Sequence, residues 1–179
     1  MIQKPTNRLL ALYTLMKEFL LLIALSVLIF ISMGYIDHKE NQNILVTFLV
    51  VFSVVKVYIL ISKTLKKMEI LTSNNHQMNH ILLFSMTIIF FINISFTLDY
   101  LCISEIYTDS FFGLNLSQPF ISQFFDLLYF SIVTFTTVGY GDIVPFGKAV
   151  KLLTILEMTT AFITIVFIIS RYIKNNEKE

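Results

Sequence analysis

Thr136-Thr137-Val138-Gly139-Tyr140-Gly141-Asp142 is the stretch from which the rest of this chain is read. Two glycines flank a tyrosine directly after an apolar helical segment, which is poor material for a helix or a strand. Glycine opens backbone conformations closed to other residues, so a Val-Gly-Tyr-Gly run can turn successive carbonyls to one side. Upstream, roughly residues 122–135 form an apolar helix too short to cross a bilayer. Irregular backbone at membrane depth survives only where it is buried in protein or lines water. A half-helix that carries the chain in, and an extended run that carries it out, meets that condition. The negative end of the half-helix dipole, near Phe135, favours a cation.

Composition agrees with a membrane setting. The chain has 179 residues, 56% of them hydrophobic, and a mean hydropathy of +0.77. A soluble domain of this size rarely carries so little polar surface. The net charge of +1 argues against a nucleic-acid partner. Cys102 is the single cysteine and lies in an apolar run, where packing is its expected role. No secretory signal, internal repeat or low-complexity linker is evident.

Four spans are predicted, at roughly 19–35, 44–62, 81–103 and 148–173. Residues 1–18 suit a helix along the membrane surface or an early start to the first span. The last span, about 39 Å long at 1.5 Å per residue, exceeds the hydrocarbon core and is expected to tilt. Lys4, Arg8, Lys17, Lys63, Lys66, Lys67, Arg171, Lys174 and Lys178 collect on one side. Lys39, Lys148 and Lys151 lie on the other. This imbalance predicts both termini in the cytoplasm and the half-helix at the outer face.

The stretch around Gly139 resembles the Thr-Val-Gly-Tyr-Gly selectivity filter of potassium channels. The resemblance covers about 126–173, taking in half-helix, filter, the Asp142-Ile143-Val144-Pro145 turn and an inner helix. It implies an all-α membrane protein with four transmembrane helices, a pore half-helix and a filter, assembling as a homotetramer. Residues 1–79 would be a two-span region and 80–179 the pore domain. By resemblance, carbonyls of Thr137, Val138, Gly139 and Tyr140, with the Thr137 hydroxyl, hold K⁺, and Gly139 and Gly141 supply backbone freedom. One chain gives a quarter of each oxygen ring, so four copies are required.

Many members brace the filter with two tryptophans; here those positions look like Tyr129 and Phe130. Tyr129 is expected to donate to Asp142. Phe130 has nothing to donate to Tyr140, which leaves Thr134 of a neighbouring subunit as the candidate partner. Thr136 completes the supporting set, and Val133 stands where some members carry a glutamate. No glycine hinge occurs between Lys148 and Ile173, and the lower pore is expected from one face of 163–169. Phe135 and Glu157 are candidates for the pore helix and cavity. Ser122 or Asp126 is expected to start the half-helix.

Ionisable groups within spans invite functional readings. Lys56 is expected to snorkel to the cytoplasmic edge, and Asp99 to meet water or headgroups near the outer edge. Their different depths predict no pair between them. Glu157 is expected either as a buried, hydrogen-bonded carboxylate behind the half-helix or as a charged ring in the cavity. Lys63 and Lys66 read as positive-inside anchors rather than a voltage sensor. His76 and His80 read as solvated loop residues, and Asn115-Leu116-Ser117 fits a glycosylation pattern on the outer side.

The expected function is passive, potassium-selective conduction in the plasma membrane. No cofactor, catalytic residue or fused ligand-binding domain is expected; K⁺ is the cargo and the lipid bilayer the surroundings. Two rival readings are a pore for several monovalent cations and a non-conducting modulatory subunit.

Overall fold

The computed structural model describes residues 6–33, 38–72 and 78–176. Among the described residues, five helices and two short strands follow in chain order: α1 (Thr6–Met33), α2 (His38–Thr72), α3 (Met78–Ile106), β1 (Phe111–Phe112), α4 (Phe120–Phe135), β2 (Val144–Pro145) and α5 (Lys148–Asn176). Among the described residues, three stretches are long and apolar enough to cross a membrane: Asn41–Lys66, Leu82–Ile106 and Lys148–Ile173. Each has at least 25 residues, or about 38 Å of helix, against a core of about 30 Å. The chain is an all-α integral membrane protein.

α1 is one continuous helix from Thr6, so the described part of 1–18 is an early start to the first span rather than a separate surface helix. The non-helical backbone at Asn41 (φ −125°, ψ 18°) breaks the first turn of α2 at the start of its crossing stretch. Of the polar links read at 37–41 and 74–80, residues 38–41 open α2 and 78–80, His80 included, open α3, while Asp37 and 74–77, His76 included, lie outside the described residues.

α3 is the hub and packs against α1, α2, α4 and α5. Its apolar stretch is 61% buried, against 33% for α2 and 28% for α5, so the peripheral helices keep open apolar faces. Phe19 of α1 meets Phe91 of α3 with ring centroids 5.3 Å apart. Hydroxyls inside the helices turn back on their own backbone. Thr97 donates to the Asn93 carbonyl at 2.8 Å and Thr160 to the Leu156 carbonyl at 2.7 Å, which keeps polar atoms satisfied where water is scarce.

Lys56 in α2 and Asp99 in α3 correct the expectation from depth. Lys56 Nζ lies 2.6 Å from Asp99 Oδ1, with the side chains essentially buried. Lys56 also donates to the Ser95 carbonyl at 3.1 Å, and Ser53 donates to Asp99 Oδ2 at 2.7 Å. Lys56 therefore does not snorkel, and Asp99 does not meet headgroups. Helical side chains lean toward their own N-terminus. On antiparallel α2 and α3 this lean carries Lys56 and Asp99 toward each other along the membrane normal and closes the gap in depth. A paired, hydrogen-bonded pair is the form in which two charges tolerate burial.

Candidate functional site

The 16 residues of α4 reach about 24 Å, so the helix stops inside a bilayer. Neither Ser122 nor Asp126 starts it. The N-cap is Pro119 (φ −56°, ψ 146°), with no side-chain cap. Proline presets its own φ and lacks an N–H, so it enters a helix without stranding a donor. The approach loop is tied instead by buried Gln123, whose amide donates to the carbonyls of Leu116 at 3.0 Å and Gln118 at 2.8 Å.

At the other end the helix hands its free carbonyls to the glycine-rich run. Thr136 N–H and its hydroxyl both donate to Ile132 O, at 2.9 and 2.7 Å. Thr137 N–H reaches Thr134 O at 3.0 Å, and Val138 and Gly139 N–H reach Val133 O at 3.0 and 3.4 Å. All these peptides are trans, so each C=O points opposite to its N–H. With three successive N–H groups drawn back to α4, the carbonyls of Thr136, Thr137 and Val138 face away from it.

Positive φ then recurs at every second residue: Thr137 (60°), Gly139 (55°) and Gly141 (80°). A strand keeps φ negative throughout, so this alternation marks the run as a non-strand backbone. Two of the three positions are glycine, for which such φ values carry no steric penalty. Residues 136–142 are exposed, so this row of backbone oxygens lies on an open edge of the chain.

Tyr129 on α4 and Tyr140 on the return strand stack with centroids 6.4 Å apart and planes 2° apart. The Tyr129 hydroxyl donates to the Asp142 carboxylate, and this bond holds Asp142 below its ordinary pKa and raises that of Tyr129. The same corner rests on Gly113 (φ 86°), which leads out of β1. A Cβ there would sit 2.0 Å from the Asp142 carbonyl oxygen. Glycine is required at 113 on both counts, conformation and space. β1 pairs antiparallel with β2 (Phe111 with Pro145, Phe112 with Val144), and Phe146 N–H donates to Ser110 O at 2.9 Å.

Phe130 turns away from the filter. It is buried edge-to-face against Tyr100 (5.1 Å, 73°) and Phe111 (5.3 Å, 76°), and those two rings meet each other at 5.6 Å. The triad ties α3, β1 and α4 together. Phe135 and Glu157, expected near a cavity, are 2% and 0% exposed within a single chain. Assembly only adds contacts, so neither reaches a cavity and a ring of Glu157 charges there is ruled out. Glu157 accepts from Tyr100 at 2.5 Å and sits 2.5 Å from the Ser131 hydroxyl. The carboxyl points into the seam between α3, α4 and α5 because hydroxyls are available there.

α5 divides cleanly. Leu153, Glu157, Thr160, Ala161 and Thr164 are buried, whereas Ile155, Phe162, Val166 and Ile169 form an exposed apolar stripe on the opposite side. Ile163 and Ile165, within the stretch expected to line a lower pore, are also exposed.

A re-entrant half-helix and its extended return, held between two long helices, define a pore-loop membrane protein. The chain belongs to the ion channel family, whose model matches residues 81–178, more than half of its length. It is 43% identical over 68 residues to Two-pore potassium channel 4 of Arabidopsis thaliana, covering 38% of this chain and 24% of that protein. It is 49% identical over 41 residues to the Hyperpolarization-activated voltage-gated potassium channel of Methanocaldococcus jannaschii, covering 23% and 20%. It is 42% identical over 41 residues to Potassium channel protein kcv of Paramecium bursaria Chlorella virus 1, covering 23% and 44%. The chain thus spans less than half the length of each of these relatives. No solved structure matches it.

Proposed function

We propose that four copies of this chain form a potassium-selective pore that conducts K⁺ passively. One observation carries the reading: the N–H groups of Thr137, Val138 and Gly139 are bound back to α4 while φ alternates in sign through Gly141. A row of main-chain oxygens facing one way is a quarter of a ring able to replace a cation's water shell. Carbonyls of Thr137, Val138, Gly139 and Tyr140 hold the ion; Gly141 turns the chain out; Tyr129, Thr134, Thr136 and Asp142 keep it in place. Their exposure in one chain, and the open apolar stripe of α5, fit surfaces that meet around a fourfold axis.

Residues 80–179 act as the pore domain and 1–79 as an accompanying two-span region. The distribution of lysine and arginine supports cytoplasmic termini, and the membrane we assign is the plasma membrane. The protein transports rather than catalyses, with K⁺ as cargo and no cofactor. Potassium in the names of the plant, archaeal and viral relatives supports the choice of ion.

A second reading, a pore for several monovalent cations, is favoured by Phe130, which is directed away from the filter instead of bracing it.

Potassium flux from liposomes containing only this polypeptide tests the proposal. Wild type gives flux, and Gly139→Ala abolishes it while the oligomer persists, because an L side chain is strained at φ 55°. No wild-type flux from correctly assembled protein overturns it and favours a modulatory subunit.

A further inference from the structure

Directly behind the half-helix, Ser131 Oγ has three oxygens within reach: Glu157 Oε1 at 2.5 Å, and Oδ1 and the carbonyl O of Asn93, both at 3.2 Å. A hydroxyl has one hydrogen to give. Asn93 cannot turn its amide nitrogen to Ser131, because that nitrogen already donates to Ile89 O at 2.8 Å. If Glu157 were a carboxylate, Ser131 would give it the hydrogen and then face Asn93 Oδ1 oxygen to oxygen. A proton on Glu157 Oε1 supplies a second hydrogen, which leaves only the Asn93 backbone carbonyl, already an acceptor from Thr97 at 2.8 Å, without one from Ser131. Glu157 donates to Ser131, Ser131 donates to Asn93, and Glu157 Oε2 accepts from Tyr100 at 2.5 Å.

Charge balance leads to the same assignment. The nearest buried cation, Lys56, is already bound to Asp99 at 2.6 Å. Those two act on Glu157 only through space, Tyr100 touches it, and α4 presents the Ser131 hydroxyl. A charged Glu157 would leave a completely buried negative charge without a contacting counter-charge.

We propose that Glu157 keeps its proton and, as a neutral carboxylic acid, clamps the filter-bearing half-helix α4 to α3 and α5 through Ser131 and Tyr100. It is a positioning residue: it touches neither ion nor filter, but holds the helix whose last carbonyls hold the filter N–H groups. The consequence for selectivity rests on the potassium-pore reading; the protonation state does not.

Two measurements on purified wild-type and variant protein in liposomes test it. Infrared difference spectra at neutral pH between wild type and Glu157→Gln are expected to show loss of a protonated-carboxyl C=O band. Loss of a carboxylate band instead overturns the assignment, even if the protein conducts nothing. In bi-ionic potassium–sodium recordings, Glu157→Leu and Ser131→Ala are expected to lower the K⁺/Na⁺ permeability ratio at least tenfold and threefold. Glu157→Gln, whose amide can donate to Ser131 and accept from Tyr100, is expected to stay within twofold of wild type. An unchanged ratio in Glu157→Leu, or a loss in Glu157→Gln as large as in Glu157→Leu, overturns the clamp. Should Glu157→Leu fail to assemble, Ser131→Ala decides, and an unchanged ratio there overturns it.

Discussion

Replacing Lys56 with methionine strands the Asp99 carboxylate between α2 and α3 with only the Ser53 hydroxyl beside it. Removing one partner of a buried ion pair costs about 3–5 kcal/mol. The single substitution is therefore expected to destabilise by about 3–5 kcal/mol. Asp99→Leu strands the ammonium, which keeps only the Ser95 carbonyl and the nearby Phe52 ring, and is expected to cost a similar amount. The double variant Lys56→Met/Asp99→Leu puts apolar groups of comparable size into an apolar seam, and is expected to lie near wild type or up to about 4 kcal/mol above it. The coupling energy across the cycle is then at least about 6 kcal/mol. Reversible denaturant unfolding of the four proteins in mixed micelles measures it. Additive behaviour, with coupling under about 1 kcal/mol, would refute a buried pair and return Lys56 to the membrane edge.

Two further outcomes follow from the filter's outer corner. Gly113→Ala forces a side chain to φ 86° and against the Asp142 carbonyl. It is expected to cut potassium flux at least tenfold with the oligomer intact, and wild-type flux in this variant would show that the corner does not steady the filter. Tyr129→Phe removes the hydroxyl that lowers the Asp142 pKa. A lowered carboxyl pKa contributes stability above the ordinary carboxylate value of 3.8, which is lost as pH falls through the lowered value. The raised Tyr129 contributes below 10.0, and loses it as pH climbs through its raised value. The Asp142 titration midpoint, followed by carbon NMR of a labelled carboxyl, is expected to rise in Tyr129→Phe. An unmoved midpoint would dismiss the hydrogen bond.

What was legible in the sequence was local. The filter run, the half-helix ending at Phe135 and the span of α5 announce themselves in neighbouring residues, because glycine spacing and unbroken apolarity act over one or two turns. Contacts between distant segments left no such mark. Gly113 reads as an ordinary loop glycine until β1 is laid beside β2 and the Asp142 carbonyl arrives where its Cβ would be. Lys56 and Asp99 were separated by counting residues from the span ends, a measure that ignores opposite side-chain lean on antiparallel helices. Glu157 was readable as a buried carboxylate or as a cavity ring. The choice depended on which face of α5 meets Ser131 and Tyr100, partners that come from α4 and α3 and leave no mark in the residues around Glu157. The start of α4 was misassigned for a related reason: Ser122 and Asp126 are good capping residues, but Pro119 already sets the first turn.

The reversal potential of the purified protein in a planar bilayer, with potassium on one side and sodium on the other, bears most directly on a ring of main-chain oxygens as the selecting element. A selective ring of this kind gives a potential close to that of a membrane permeable to potassium alone. A reversal potential near zero, with robust current, would contradict it.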